Sequence, residues 1–172
     1  QQRVGVPLIT LSKRNDFSLV GDGVFRLGAT VRSQVTSLLQ VLVDSKGITK
    51  FAVVYPDTAS GELFAREFRN SAADYGVPVQ VEAVYEQNDP DAFAMIAQQL
   101  ESENVQAIFF PDNLVRATRF YSNFTPLMRS KLKLVGPASW DNLNYLANSR
   151  TVLEGIVFVS PFFSRSSRPL VE

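Results

Sequence analysis

Two aspartates stand at positions where a ligand would meet them. Asp57 follows the apolar run Phe51-Ala-Val-Val-Tyr-Pro56, and Asp112 follows Ala107-Ile-Phe-Phe-Pro111. Two carboxylates on one edge of a sheet can hold Mg²⁺ or accept the amine of a ligand. The same side chains serve equally as caps or turn stabilisers, because aspartate accepts from free backbone N–H groups where a helix begins. No third acid sits at a strand end, which argues against a metal site.

Other small polar groups lie beside them. Thr58, Ser60 and Gly61 form a helix start that can take an anion on its free N–H groups, or that simply starts a helix. Their spacing is neither a P-loop nor a dinucleotide fingerprint, and no Lys follows. A third apolar run, Leu132-Lys-Leu-Val135, ends in Gly136-Pro137 and leads to Ser139, Trp140 and Asp141. Trp140, the one Trp of the chain, either walls a pocket or lids the core. Asp57, Ser60, Asp112, Asn113, Ser139 and Trp140 are therefore the candidate ligand contacts.

Between Asn113 and Leu134 there are five basic residues (Arg116, Arg119, Arg129, Lys131 and Lys133) and no acid. Such a stretch is a docking face for a partner or an anionic surface, with Arg116, Arg119, Lys131 and Lys133 as candidates, or a solvated helix face. Phe120, Tyr121 and Phe124 fall at helical spacing and read as core. Asn123-Phe-Thr125 matches a glycosylation sequon, a pattern frequent by chance.

Composition removes several chemistries. The chain has no His and no Cys, so imidazole bases, thiolate nucleophiles and the usual zinc sets are excluded. Seventeen basic and seventeen acidic side chains cancel, which gives no electrostatic reason to expect nucleic acid. With 45% hydrophobic residues and a mean hydropathy of +0.01, the 172-residue chain is globular and long enough for one well-cored domain. No apolar run approaches the roughly 18 to 20 residues a membrane-spanning helix requires. The start Gln1-Gln-Arg-Val, with no Met and no signal sequence, reads as a piece of something longer.

The elements that position these residues follow from periodicity. Val6–Leu11 and Val24–Leu27 are extended runs separated by a polar stretch. Helical spacing covers Thr30 to Lys46, with Gly47 as its stop. Strand Phe51–Tyr55 leads to a helix carrying Phe64, Phe68 and Tyr75 and ending at Gly76. Val79–Tyr85 alternates as a strand. Asp89-Pro90 enters a helix with Phe93, Ile96, Ala97 and Leu100 on one face. Strand Ala107–Phe110 precedes a helix over Leu114 to Phe124, and strand Leu132–Val135 follows. A short helix near Asp141 turns Leu143, Leu146 and Ala147 inward, and Gly155–Val159 is the last strand before Pro161-Phe-Phe163. The expectation is an α/β fold: five parallel strands with helices on both faces, a three-layer αβα arrangement. In such sheets ligands sit outside the carboxyl ends of the strands. The two opening runs stand apart from the alternation.

The succession Val6-Pro-Leu-Ile-Thr-Leu-Ser12, Val24-Phe-Arg-Leu27, Phe51-Ala-Val-Val-Tyr-Pro-Asp57, Gly61-Glu-Leu-Phe-Ala65 and Val135-Gly-Pro-Ala138 resembles the type I periplasmic binding proteins, with the Leu/Ile/Val-binding branch nearest. Ile108-Phe-Phe-Pro-Asp112, Trp140-Asp-Asn142, Glu154-Gly-Ile-Val-Phe158 and Pro161-Phe-Phe163 look closer to the lipoproteins known as penicillin-binding protein activators, similar to the LpoA C-terminal domain. The resemblance implies two α/β lobes holding ligand in the cleft between them. It implies that residues 1–28 are the end of lobe one and a hinge crossing, 29–158 the second lobe, and 159–172 a return segment. It also implies departures. Amino-acid binders of this family stack an aromatic where this chain has Ser60. They place an acid near Ala138 or Ser139, and a further aromatic that Asp112 or Asn113 matches only loosely. Ordinary recognition of a free amino acid looks lost in this lobe.

Three functions follow from these readings. The first is a non-enzymatic, extracytoplasmic solute-binding or sensing domain of the branched-chain amino acid ABC transporter type. It implies a small-molecule ligand, a membrane permease as partner, no cofactor and a periplasmic location. The second is an interaction domain that activates a peptidoglycan synthase, docked through the basic stretch on an outer-membrane lipoprotein facing the periplasm. There the membrane would be reached only through a lipid anchor outside this chain. The third is a cytosolic flavodoxin-type enzyme or receiver using Asp57 and Asp112 with Mg²⁺.

Overall fold

The computed structural model describes residues 8–10, 24–26, 28–87, 89 and 91–160. Strands β1 (Leu8–Thr10) and β2 (Val24–Arg26) pair in parallel as a two-stranded sheet of their own. The remaining strands are β3 (Phe51–Pro56), β4 (Val81–Tyr85), β5 (Ala107–Phe109), β6 (Lys133–Gly136) and β7 (Val157–Phe158). They form one fully parallel sheet in the order β4-β3-β5-β6-β7. Helices α1 (Val31–Leu39) and α2 (Ala59–Asp74) cover one face. Helices α3 (Ala92–Ser102), α4 (Leu114–Tyr121), α5 (Pro126–Lys131), α6 (Leu143–Asn148) and α7 (Arg150–Leu153) contribute to the other.

Strand alternation divides the core in two. Phe51, Val53 and Tyr55 of β3, with Ala107 and Phe109 of β5, face α1 and α2. Ala52 and Val54, with Ile108, Phe110 and Leu134, face α3 and α4. Period-two alternation requires this when both faces are covered. All of β3 is buried, as a strand between two neighbours and two helix layers must be. Phe68 stacks on Phe109 at 4.5 Å on the first face, and Phe110 on Phe120 at 5.0 Å on the second. Each fully buried ring contributes about 1.5–3 kcal/mol of apolar transfer free energy, so the aromatic runs at the strand ends anchor both layers.

Several boundaries differ from the sequence reading. The first helix is α-helical only to Leu39 and continues as a π-helix over Gln40–Ser45, a widening that hydrophobic spacing does not reveal. The helix expected through Phe124 stops at Tyr121, and a separate α5 begins at Pro126, capped by Thr125. That Thr-Pro pair is itself a start signal. Leu143 does not turn inward but is 78% exposed, and Ala147 is exposed too. Here Asn142 caps α6 and sets a rotation that buries neither. Asp89 does receive the entering N–H groups of α3, accepting from Asp91 and Ala92 through Oδ1 at 2.9 and 3.2 Å. The readings for Val6, Pro7, Leu11, Ser12–Asp22, Leu27, Pro90 and Pro161–Phe163 lie outside the described residues.

Candidate functional site at the strand ends

The order β4-β3-β5 reverses direction at β3, because the chain steps to one side to make β4 and then crosses back to make β5. Such a switch point leaves a crevice at the carboxyl ends of the two strands. A groove of about 390 Å³ lies there, lined by Pro56, Thr58, Ser60, Gly61, Phe64, Gln87, Pro111, Asp112, Asn113, Pro137 and Ser139. The turns after β3, β5 and β6 therefore meet on one rim, as their parallel register demands.

Each corner is built by short-range hydrogen bonding. After β3, Thr58 caps α2 by accepting from the N–H of Gly61 at 3.0 Å. Gly61 lies against the carbonyl oxygen of Pro56, and a β-carbon there would overlap it. After β5, Asn113 caps α4 by accepting from the N–H of Arg116 at 2.9 Å. Both caps sit one residue beyond the aspartates expected to provide them. Asp112 instead stabilises its own turn, accepting from the N–H of Asn113 at 2.6 Å. After β6, the ring of Trp140 lies over Gly136, again where a β-carbon would collide.

The candidate contacts divide. Ser60, Asp112, Asn113 and Ser139 line the groove. Asp57 is exposed at the end of β3 but is not among the lining residues; its backbone N–H donates to Tyr85 at 2.9 Å. Trp140 is fully buried and does not face the groove. Its indole N–H donates to the carbonyl of Asp112 at 2.7 Å, so it fixes the neighbouring corner from beneath. A residue following a Gly-Pro turn fills the space left by the missing side chain, and the largest side chain fills it best.

Asp112 is the electrostatic centre of the rim, but its carboxylate is already engaged. Oδ2 accepts from the Tyr85 hydroxyl at 2.6 Å and lies 3.8 Å from the guanidinium of Arg116. Oδ1 accepts from the backbone and side-chain N–H of Asn113. Burial, and then the bond to Asp112, push the Tyr85 phenol well above its usual range, keeping it the donor. A carboxylate so occupied is a poor Mg²⁺ ligand, and among the described residues no three His, Cys, Asp or Glu come together.

Two contributors were not anticipated. Gln87 lies just past β4 and lines the groove; being the strand-end residue of the fourth run was its only signal. Gln34, buried on α1, accepts from the N–H of Ala138 at 3.0 Å and donates to the carbonyl of Ala29 at 3.1 Å. Asp141 accepts from the hydroxyl of Ser160 at 2.6 Å, joining this corner to the chain leaving β7.

The basic stretch does not form one face. Arg116 and Arg119 line a cavity of about 190 Å³ beside Tyr85, Glu86, Gln87, Asp89 and Phe93. Lys133 opens β6, at the opposite end of the strands, and shares another cavity with Arg129 and Glu154. Lys131 is exposed at the end of α5. The exposed Asn123 turns its amide inward to the carbonyls of Arg119 and Phe120.

A family model described as periplasmic binding protein matches residues 2–172. The chain belongs to that family, and its fold is that of the type I proteins of the Leu/Ile/Val-binding kind. Among solved structures, an amino acid ABC transporter substrate-binding protein from Pseudomonas fluorescens superposes with a TM-score of 0.76 at 14% identity, over 97% of this chain and 46% of that one. The branched-chain amino acid substrate-binding protein LivJ of Streptococcus pneumoniae, in complex with isoleucine, gives 0.74 at 18% identity, over 95% and 46%. The leucine-binding protein LivK of Thermotoga maritima gives 0.73 at 15%, over 96% and 47%. The chain thus spans about half the length of the structures it matches. No curated protein matches the sequence.

Proposed function

We propose that this chain supplies one wall of the ligand cleft in a non-enzymatic, extracytoplasmic solute-binding protein that serves a membrane permease. The observation that carries this reading is the groove at the switch point. Three turns from three adjacent parallel strands converge there, with hydroxyls from Thr58, Ser60 and Ser139 and carboxamides from Gln87 and Asn113. The family match supports it, as do the structural relatives, whose names describe substrate-binding proteins of amino acid transporters.

The ligand on this reading is not a free amino acid held in the usual way. Ser60 offers no aromatic surface, Ser139 is neutral, and the carboxylate of Asp112 is bound by Tyr85, Asn113 and Arg116. On this reading residues 1–28 are the end of lobe one and the hinge crossing and 159–172 the return segment toward lobe one, and the separate β1–β2 pair fits that assignment. Activation of a peptidoglycan synthase through one basic face is not favoured, because Arg116 and Arg119 stand apart from Lys133. The lipoprotein branch has no support from the family match.

Thermal denaturation of the full-length protein against amino acids, acylated peptides, sugars and aromatic acids tests the proposal. Stabilisation by one class, abolished by Ser60→Trp in the groove, is expected. No stabilisation by any class overturns it.

A further inference from the structure

The groove does not end at Gln87. That residue also lines the neighbouring cavity of about 190 Å³ between the end of β4 and helix α4. Asp112 connects the two spaces a second time: it lines the groove, and its carboxylate faces Arg116 in the cavity wall. One further turn along α4, Arg119, an exposed residue, lines the same cavity. Among the described residues its guanidinium has no hydrogen-bond or ion-pair partner. Glu86, whose carboxylate is likewise unpartnered among those residues, also lines the cavity, and Phe93 adds an apolar side chain to it.

The two signs of charge restrict what fits. A guanidinium recognises a carboxylate through paired N–H donors. The acids Glu86 and Asp89 disfavour a dianion such as a phosphate, and Glu86 requires a donor beside the bound carboxylate. An amide N–H one carbon away from a carboxylate meets both demands, and a side chain on that carbon would rest against Phe93. This is the chemistry of a peptide carboxyl terminus.

We infer that the groove and the Arg119 cavity form one extended site for a short peptide or N-acylated amino acid. The acyl end lies among the neutral groups of the groove and the terminal carboxylate lies at Arg119. The inference rests on the solute-binding reading above and specifies its ligand.

Calorimetric titration of the full-length protein tests it. The probes are N-acetyl dipeptides with small, aliphatic or aromatic C-terminal residues, each compared with its C-terminal amide. The free acid of at least one pair is expected to bind about tenfold more tightly or better, the effect of a charge-assisted hydrogen bond. Arg119→Gln should cost the acid about tenfold more than its amide and so bring the two to the same level. Equal binding of acid and amide, or a preference that survives Arg119→Gln, overturns the inference. Binding of other solutes but none of the peptides overturns it and leaves the solute-binding reading standing. Binding of nothing removes both.

Discussion

The side-chain oxygen of Gln34 accepts a hydrogen bond from the N–H of Ala138, 104 positions away along the chain. This bond ties the first helix of the sheet's α1–α2 face to the corner of the rim that carries Ser139. The amide nitrogen of Gln34 closes the arrangement by donating to Ala29. Replacing Gln34 by Leu would keep the volume and strand both partners. A loss of about 1–3 kcal/mol in stability is expected, measured by urea denaturation. A loss below a few tenths would mean that water replaces the carboxamide fully.

Gly136 and Trp140 make a second constraint. Gly136→Ala pushes a methyl group into the indole and should cost about 1–3 kcal/mol through overpacking. Because Trp140 is the one Trp in the sequence, its emission reports the displacement directly. A red shift in the folded variant is expected, and an unchanged spectrum would place the strain elsewhere.

The caps separate from the aspartates beside them. Thr58→Ala removes the acceptor for the N–H of Gly61 and should cost about 1 kcal/mol. Asp57→Ala, at an exposed side chain that caps nothing, should stay within about 0.5 kcal/mol. Equal losses at the two positions in chemical denaturation would contradict the assignment of the cap.

Tyr85→Phe deletes the hydroxyl that donates to Asp112. A hydrogen bond to a carboxylate is worth about 1.5–3 kcal/mol, and partial exposure of Asp112 puts the expected cost at the lower end. Thermal or urea unfolding measures it, and an unaltered midpoint would show that solvent satisfies Asp112 equally well.

High pH should unfold the protein by a route that is visible in its tyrosines. The Tyr121 hydroxyl donates to the carbonyls of Arg129 and Leu132, and burial raises its pKa from 10.0 to about 12. Tyr85 and Tyr55 are shifted in the same direction, each by burial first and then by its carboxylate partner. Between the unfolded and folded values the native state holds the protons the unfolded chain has released. Their contribution is therefore complete below about pH 10 and is lost as pH rises through the folded values. Stability measured from pH 8 to 12 should fall on the alkaline limb, and Tyr121→Phe should make that fall shallower.

The sequence made the sheet legible because its signals are local. Phe51–Tyr55 and Ala107–Phe110 are apolar runs stopped by Pro-Asp, and a buried parallel strand needs both a continuous run and a break. It also made the shared rim legible, since parallel strands put all their ends on one side. The identity of the caps was off by one residue, because Thr58 and Asn113 are as able to accept as the aspartates before them. Trp140 was readable only as pocket or lid, since burial depends on Gly136 and Asp112 together. Gln34 and Gln87 carried no motif; a buried carboxamide at helical spacing is indistinguishable from an exposed one until its distant partner is known. The π-helical turn at Gln40–Ser45 leaves no trace in the apolar pattern, because Leu42 remains inward.

The hydrogen bond from Ser160 to Asp141 acts as a tendon. The next residue back, Trp140, grips the carbonyl of Asp112, and Asp112 in turn holds Tyr85 and Arg116. The backbone leaving β7 is thus linked, contact by contact, to α4 and the end of β4.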